Sequence, residues 1–576
     1  MSNEQQITGQ ANGHNGIINY EVDVSNDHID DFKVLKHSET PGIFNQVVDT
    51  LKQNIITNQS FDVDTISGAT VMTKALLTSA RSAVNAAAVK LHSVPTNTEH
   101  QDVELTADVA VIGGGEAGLV AASRALSLGH KVILVEKNGY LGGATILNGS
   151  NVTATGSKVA ARIFPEQQDS PEQLFNDVTK ESRNTNLPEL TKLMVNNIGS
   201  AIDFVSDYAD LEYQKAQTQT PEHSVERQIE LPSASSFEFI KKVPAAFKQN
   251  GGQILLDARV ENILTDNDRV TGLVAEAKNK TITIHAQAVV LAAGGYGANQ
   301  KMRGTESEGI DYYGPMTSTG DAYSFNDKLS LKSHDLGWYK VYPHGVEVEP
   351  GIAKLTTYAS KKATDMGAIY VNNRGQRIVN ESDVYAKFRD AILDQPGKVA
   401  FMVMDERTWK EVYALLVLHD FTAAEIKGYF DNPDKKPVFV KGGLREVAQA
   451  AGINSDQLVK TVQHYQEQAK TGEDPDFGRD AQYLHQFDGE TFYVVEQRDR
   501  FATTLGGYSI DPSTMQLKNT DDQDVTGYYA AGEIVGGANG HDSMPSMMNT
   551  WGISSGYLAG TYASQAVESE KTASTY

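Results

Sequence analysis

Apolar and polar positions alternate from Ile17 to Val24, which predicts a strand with one buried face, and Phe32 to Lys36 reads as a second strand. From Ile43 to Ile55 the apolar spacing lengthens to three and four residues, the period of an amphipathic helix, and a further helix is expected from Ala75 to Lys90. These elements predict a small α+β module over residues 1–92. Residues 93–106 are polar and aperiodic and read as a linker.

Beyond the linker, Ala107 to Ile112 is a short apolar strand, Gly113-Gly114-Gly115-Glu116-Ala117-Gly118 is a turn, and Leu119 onward reads as helix. Lys131 to Val135 is another strand, ending at Glu136. Gly252 to Leu264 looks like a strand pair, and Ala288 to Gly295 a buried strand closing on a glycine turn; both are expected to extend a parallel sheet. From Tyr339 to Arg500 helices and strands mix, with Gly, Asp, Asn and Pro turns, before Thr526 to Glu533 returns to a strand of the first type. The pattern predicts an α/β domain in two parts, 107–338 and 501–576, interrupted by an inserted domain at 339–500. No internal repeat is present.

At 576 residues the chain exceeds one hydrophobic core. A net charge of −24 disfavours nucleic acid and anionic membrane as partners, because the phosphate term would be repulsive. The absence of cysteine excludes disulfides, thiol catalysis, cysteine-ligated zinc and iron–sulfur clusters on this chain. The polar start, Met1-Ser2-Asn3-Glu4, has no basic and apolar leader behind it, and no run of about 18 apolar residues occurs, so a cytoplasmic protein is expected. No metal site is expected.

Two motifs carry chemistry. In the strand–turn–helix at Gly113, Gly115 and Gly118, a dinucleotide pyrophosphate would sit on the helix N-terminus. Glu136, about 20 residues past the glycines, would hold a ribose hydroxyl. Upstream, Asp64 to Thr70 reads D-x-x-S-G-A-T. Together they suggest two flavins on one polypeptide.

The order of these motifs resembles the soluble fumarate reductase and urocanate reductase flavoproteins preceded by an FMN-binding domain, over nearly the whole chain. The resemblance implies a Rossmann-like FAD-binding domain with an inserted clamp (capping) domain behind a small FMN-binding domain. On His37-Ser38-Glu39-Thr40-Pro41-Gly42 and D-x-x-S-G-A-T it implies FMN attached by a flavin transferase to Thr70 as a phosphoester, with Ser67 donating hydrogen bonds to the phosphate. For non-covalent FAD it implies Gly113, Gly115, Gly118, Glu136 and Lys137 at the adenosine half, and Gly142, Gly143, Ala144 and Thr145 near the pyrophosphate and isoalloxazine. It further implies Val260 at the adenine, Gly294 and Gly295 closing the fold, Asp321 in a T-G-D turn, Glu533 on the ribitol, and Ser546 and Met547 at a helix N-terminus facing the flavin N1–O2 edge.

The chain departs from the fumarate reductases at the substrate. Their H-P-T segment is Tyr342-Pro343-His344, an expected arginine falls on Tyr385 with Arg389 four residues later, and their paired histidines before M-G-G become the segment Ala502-Thr503-Thr504-Leu505-Gly506-Gly507. Their substrate arginine falls near His541, and their relay acid and arginine fall on Lys361 and Thr364. Loss of these grips argues against a dicarboxylate. Twenty-four tyrosines, with Tyr312, Tyr313, Tyr342, Tyr385 and Tyr508 at or near family positions, suit an aryl alkene such as a vinylphenol or hydroxycinnamate. The implied chemistry is hydride transfer from FAD N5 to an activated C=C bond, protonation by Tyr385 or else Tyr342, Arg389, His344 or His541, and electrons relayed through FMN, with a separate NAD(P)H:flavin reductase as a candidate donor. Fumarate or urocanate reduction, a ketosteroid-type dehydrogenase and a two-flavin electron carrier are the alternatives.

Overall fold

The chain begins with a meander whose alternation is legible in burial. In the computed structural model, which describes residues 4–94, 99–217, 219–419, 421–432 and 436–573, strands β1 (Glu4–Asn12), β2 (Ile17–Ser25) and β3 (His28–Lys36) pair antiparallel. Ile18, Tyr20, Val22 and Val24 of β2 point one way and are buried. Helices α1 (Pro41–Asn58) and α2 (Thr70–Ala86) cover that face with Phe44, Val47, Leu51, Leu76 and Ala80. Strand β1 falls in a stretch that the sequence left unassigned, because Ile7 and Ala11 are its only apolar side chains. The second helix begins at Thr70 and stops at Ala86, not at Ala75 and Lys90, so Thr70 lies in its first turn.

The 93–106 linker reading needs correction. Residues 95–98 lie outside the described residues, but β4 (Gln101–Ile112) already begins inside the span, because its polar first half pairs in parallel with Lys280–Ala286. Helix α3 (Glu116–Ser127) and strand β5 (Val132–Val135) follow as the spacing predicts. Val109 to Ile112, Val132 to Val135 and Ala288 to Leu291 are buried, as strands covered on both faces must be. The Gly252–Leu264 strands are not a pair. Gln253–Leu255 adds in parallel to β5 at one edge, whereas Arg259–Asp266 opens an antiparallel ribbon with Arg269–Ala277 at the other. The sheet is therefore mixed, parallel from its centre to the Gln253–Leu255 edge and antiparallel at the other. The last helix starts at Met547 and packs along α3 with small residues, Gly556 and Gly560 lying against the Ala117 and Ala121 carbonyls.

Two units make up the chain. One comprises residues 1–302, 315–338 and 504–576, so the first module and the α/β domain belong to one body; the other comprises 303–314 and 339–503. The second unit has its own sheet, with the strand Phe492–Thr504 between Val399–Asp405 and Tyr339–Glu349, and its own apolar clusters around Trp409, Phe439 and Tyr465. Among the described residues no helix is long and apolar enough to cross a membrane.

Candidate functional site

The glycine turn after β4 divides its labour as a pyrophosphate cradle requires. Gly113 has φ +106°, and a side chain there would run into the Ala292 carbonyl; a side chain at Gly118 would strike the Gly113 carbonyl and push α3 off the strand. Gly115 differs, because a methyl group there would meet nothing nearer than the Gly142 carbonyl at 3.8 Å. That space lies over the start of a 12-residue helix with no side-chain cap. The 142–145 loop folds onto the same turn: Gly142 N–H donates to the Gly114 carbonyl (2.9 Å) and Glu116 N–H to the Thr145 hydroxyl (3.3 Å). Gly143 and Ala144 are carried between those contacts.

At the end of β5, the Glu136 carboxylate accepts from Gly114 N–H and Asn138 N–H, each at 2.8 Å, and burial raises its affinity for a proton. Each oxygen keeps a lone pair for a ribose hydroxyl. Lys137 donates to Thr319 (2.8 Å) and Asp321 (3.0 Å); although burial works the other way, the Thr319 hydroxyl, which donates to Asp321 (2.7 Å), then Lys137 and Arg259 hold the Asp321 carboxyl below its usual range. Ala258 N–H donates to the Glu136 carbonyl, which places Val260 on the neighbouring strand. Gly294 opens onto free space. Gly295 makes room for Glu533, whose carboxylate accepts from Thr504 N–H (2.8 Å) and its hydroxyl (2.9 Å), and burial pushes Glu533 up to about 7. At the last helix, Ser546 is held by Gln228 (2.6 Å) ahead of Met547. These residues fit FAD: an open cradle, a buried acid and two helix N-termini.

The D-x-x-S-G-A-T loop docks on this body. The Ser67 carbonyl accepts from Gly139 N–H (3.2 Å), Gly68 (φ +79°) passes so close to Tyr140 and Asn138 that no side chain fits, and Asp64 pairs with Lys278. Gln46 of α1 mimics a strand, accepting from Leu141 N–H and donating to its carbonyl, both at 3.0 Å. A cavity of about 790 Å³ beside the loop is lined by Ser67, Gly68, Lys137, Asp257, Arg259, Lys278 and Asp321, among others. Thr70 is exposed at the first turn of α2, whose N-terminal N–H groups have no side-chain cap. A phosphoester there would supply that cap, so the loop fits FMN.

The comparisons with known proteins agree with this geometry. The FAD binding domain family matches residues 108–547, and the FMN-binding domain family matches residues 13–85. The chain belongs to the FAD-binding family. It is similar to urocanate reductase of Eggerthella lenta (28% identity, 97% of this chain and 92% of that protein). It is also similar to NADH:fumarate oxidoreductase of Klebsiella pneumoniae (27%, 92% of this chain), spanning 55% of that protein's length. A flavocytochrome c3 fumarate reductase in its open conformation matches with TM-score 0.63 at 25% identity over 80% of this chain and 79% of that one. A 3-ketosteroid Δ1-dehydrogenase from Sterolibacterium denitrificans shares the fold, with TM-score 0.65 at 17% identity, 80% of this chain and 99% of that one. The protein is thus a flavoprotein oxidoreductase with an FAD-binding and an FMN-binding domain.

Of the five residues considered for proton delivery, four fall in the second unit of this flavoprotein. Tyr385 opens the helix Tyr385–Leu393, with its ring edge-on to His344 (centroids 5.8 Å apart). His344 is buried at φ +69° with Nδ1 2.9 Å from the Tyr370 hydroxyl; burial, then Arg500 and Lys361, push it down to about 3. Phe388 packs against both His344 (4.7 Å) and Tyr370 (4.6 Å). Arg389, one turn after Tyr385, donates to Asp390 (2.7 Å). Tyr342 carries Lys340 over its ring at 4.6 Å. His541 belongs to the other unit, where its ring is exposed and meets Trp338 edge-on.

Two of the five tyrosines are structural. Tyr508 is buried against Tyr323, and Tyr312 is buried with Phe501 beside it. The sequence passed over Thr504, the partner of Glu533, and Gln46, the clamp on Leu141. It also passed over Arg500, which three adjacent charged residues (Arg498, Asp499, Arg500) inside an apolar strand would have signalled.

Proposed function

We propose that this flavoprotein reduces the activated C=C bond of an aryl alkene, 4-vinylphenol or a hydroxycinnamate, with Tyr385 as proton donor. The observation that carries this reading is the packing of Tyr385, which stands where the resemblance expects an arginine, with His344, Phe388 and Tyr370 into one aromatic cluster. Three of the nearby arginines are already engaged by carboxylates. Arg377 pairs with Glu381 and Asp474, Arg479 with Glu381, and Arg389 with Asp390. Aromatic side chains supply stacking area, and a phenol supplies a directional proton.

FAD, when bound and reduced, supplies the hydride chemistry. The chain's own residues do the rest. The Gly113–Gly118 turn and Glu136 hold the dinucleotide, and Glu533, near 7, keeps a carboxyl beside Thr504. His344 stays neutral through the working pH range and hydrogen-bonds Tyr370, keeping the environment of Tyr385 uncharged on that side. Tyr385 gives its proton to the substrate carbon and is reprotonated from solvent.

Attachment of FMN to Thr70 by a flavin transferase, electron entry through that FMN, a separate NAD(P)H:flavin reductase as donor and a cytoplasmic location complete the proposal. A second reading, reduction of urocanate, is favoured by similarity over 97% of the chain to a protein named for that activity; urocanate is itself an aryl enoate.

The test is anaerobic oxidation of reduced methyl viologen by 4-vinylphenol, p-coumarate, urocanate and fumarate in parallel. Turnover of the aryl alkenes with fumarate inert is expected. Turnover of fumarate above the aryl alkenes overturns the proposal.

A further inference from the structure

We infer that Arg500 anchors the ring hydroxyl of a phenolic substrate through its Nη1 nitrogen. This rests on the aryl-alkene reading and names the residue that orients such a substrate. Arg500 is 4% exposed, on the strand Phe492–Thr504. Its Nε donates to the His344 carbonyl (3.0 Å) and its Nη2 to the Thr357 hydroxyl. Nη1 is buried and finds no acceptor among the described residues. Unlike Arg377, Arg479 and Arg389, Arg500 has no carboxylate at ion-pairing distance among them.

A buried cation with an unfilled donor is costly, and the few such groups that protein interiors retain are completed by water or an ion or serve a functional role. The arginine stem packs over Gly345, where a side chain would lie 2.7 Å from Arg500 Cδ. The guanidinium lies over the Tyr313 ring, 4.2 Å from its centroid, and 5.7 Å from that of Tyr342. Two tyrosine rings around a donor form a setting for another aromatic ring bearing an oxygen. One free nitrogen suits a single oxygen. With Nε–H given to the His344 carbonyl and one Nη2–H to the Thr357 hydroxyl, Nη1 is the nitrogen left with both of its N–H groups unfilled.

The experiment titrates unreactive ligands into the two-flavin holoenzyme and follows the flavin absorbance change. 4-Ethylphenol is compared with ethylbenzene, and 3-phenylpropionate serves as the carboxylate control, in wild type, Arg500→Gln and Arg500→Lys. Wild type is expected to bind 4-ethylphenol about 10- to 100-fold more tightly than ethylbenzene, the worth of one charge-assisted hydrogen bond. Arg500→Gln should collapse that preference to within about threefold while leaving ethylbenzene binding unchanged, and Arg500→Lys should retain part of it. Thermal unfolding and flavin content are read on each variant. If the glutamine variant does not fold, the lysine variant, which keeps the charge but not the reach, decides: a phenol preference below that of wild type supports the inference, and an unchanged preference overturns it.

A preference that survives both substitutions overturns the inference, as does an equal loss for both neutral ligands or a loss confined to 3-phenylpropionate. The reaction assignment is judged separately. Arg500-dependent binding of 4-ethylphenol without turnover of 4-vinylphenol sinks the aryl-alkene reading and leaves the anchor standing. Equal turnover of styrene and 4-vinylphenol with no phenol preference does the reverse.

Discussion

Replacing Gly115 by alanine separates folding from cofactor binding. The residue has φ −79° and ψ −177°, extended backbone that any amino acid adopts, and the new methyl group touches only the Gly142 carbonyl at ordinary van der Waals distance. The folded apoprotein therefore loses nothing, and restricting the unfolded chain adds about 0.4–1 kcal/mol of stability. If the space over Gly115 receives the FAD pyrophosphate, the methyl group displaces it from the amides at the start of α3. One lost hydrogen bond to a charged group costs about 1.5–3 kcal/mol, so FAD should bind roughly 10- to 150-fold more weakly. Gly113→Ala is the contrasting variant. Its φ of +106° and overlap with the Ala292 carbonyl combine backbone strain and overpacking, each about 1–3 kcal/mol, so it should lose stability and FAD together. The assay strips FAD, measures thermal unfolding of each apoprotein, and titrates FAD back by fluorescence quenching. Unchanged FAD affinity in Gly115→Ala would refute the assignment of this space to the pyrophosphate.

Three further outcomes are expected. Thr70→Ala, produced with a flavin transferase, should lack the FMN mass increment on intact-protein mass spectrometry while retaining FAD, and Thr70→Ser should keep the increment; FMN on the alanine variant would place the attachment elsewhere. Tyr385→Phe should lower kcat by about 10²–10⁴-fold with flavin content unchanged, and a loss under about threefold in viologen-coupled turnover would remove Tyr385 as the acid. His344 is held at about 3 by burial, so below 6.5 the folded state binds fewer protons than the unfolded chain and stability falls with falling pH. His344→Asn should escape this cost, gaining about 3 kcal/mol on wild type between pH 7 and pH 4 in urea titrations; parallel losses would mean that the imidazole is not buried as described.

The strand, helix, strand and acid from Val109 to Glu136 were legible because each is defined by its own local period, and their order is itself the nucleotide-binding signal. Pairing over distance was not. Gln253–Leu255 and Arg259–Asp266 adjoin in sequence yet sit on opposite edges of the sheet, because their partners, β5 and Arg269–Ala277, lie elsewhere in the chain. Gln101–Leu105 looked like linker because its strand character comes from pairing with residues 280–284 and not from its own side chains. Among the candidate site residues, Tyr385 and His344 were singled out by resemblance, but their mutual packing depends on Phe388 and Tyr370. Arg500 stayed invisible for the same reason: its environment is assembled from Tyr313, His344, Gly345 and Thr357, more than 140 positions away in sequence.

The clamp formed by Gln46 on Leu141, with Gly68 seated against Tyr140, bears on how the two flavins communicate. A carrier domain tethered by a free linker delivers electrons by repeated encounters, at a rate that solvent viscosity slows. Here the D-x-x-S-G-A-T loop is bonded to the backbone three residues past Glu136 within one compact unit, so under the proposed relay the redox step would be a fixed-distance event. Its rate should ignore viscosity and protein concentration alike, and grafting the first 92 residues onto a foreign reductase would carry the cofactor across without the wiring.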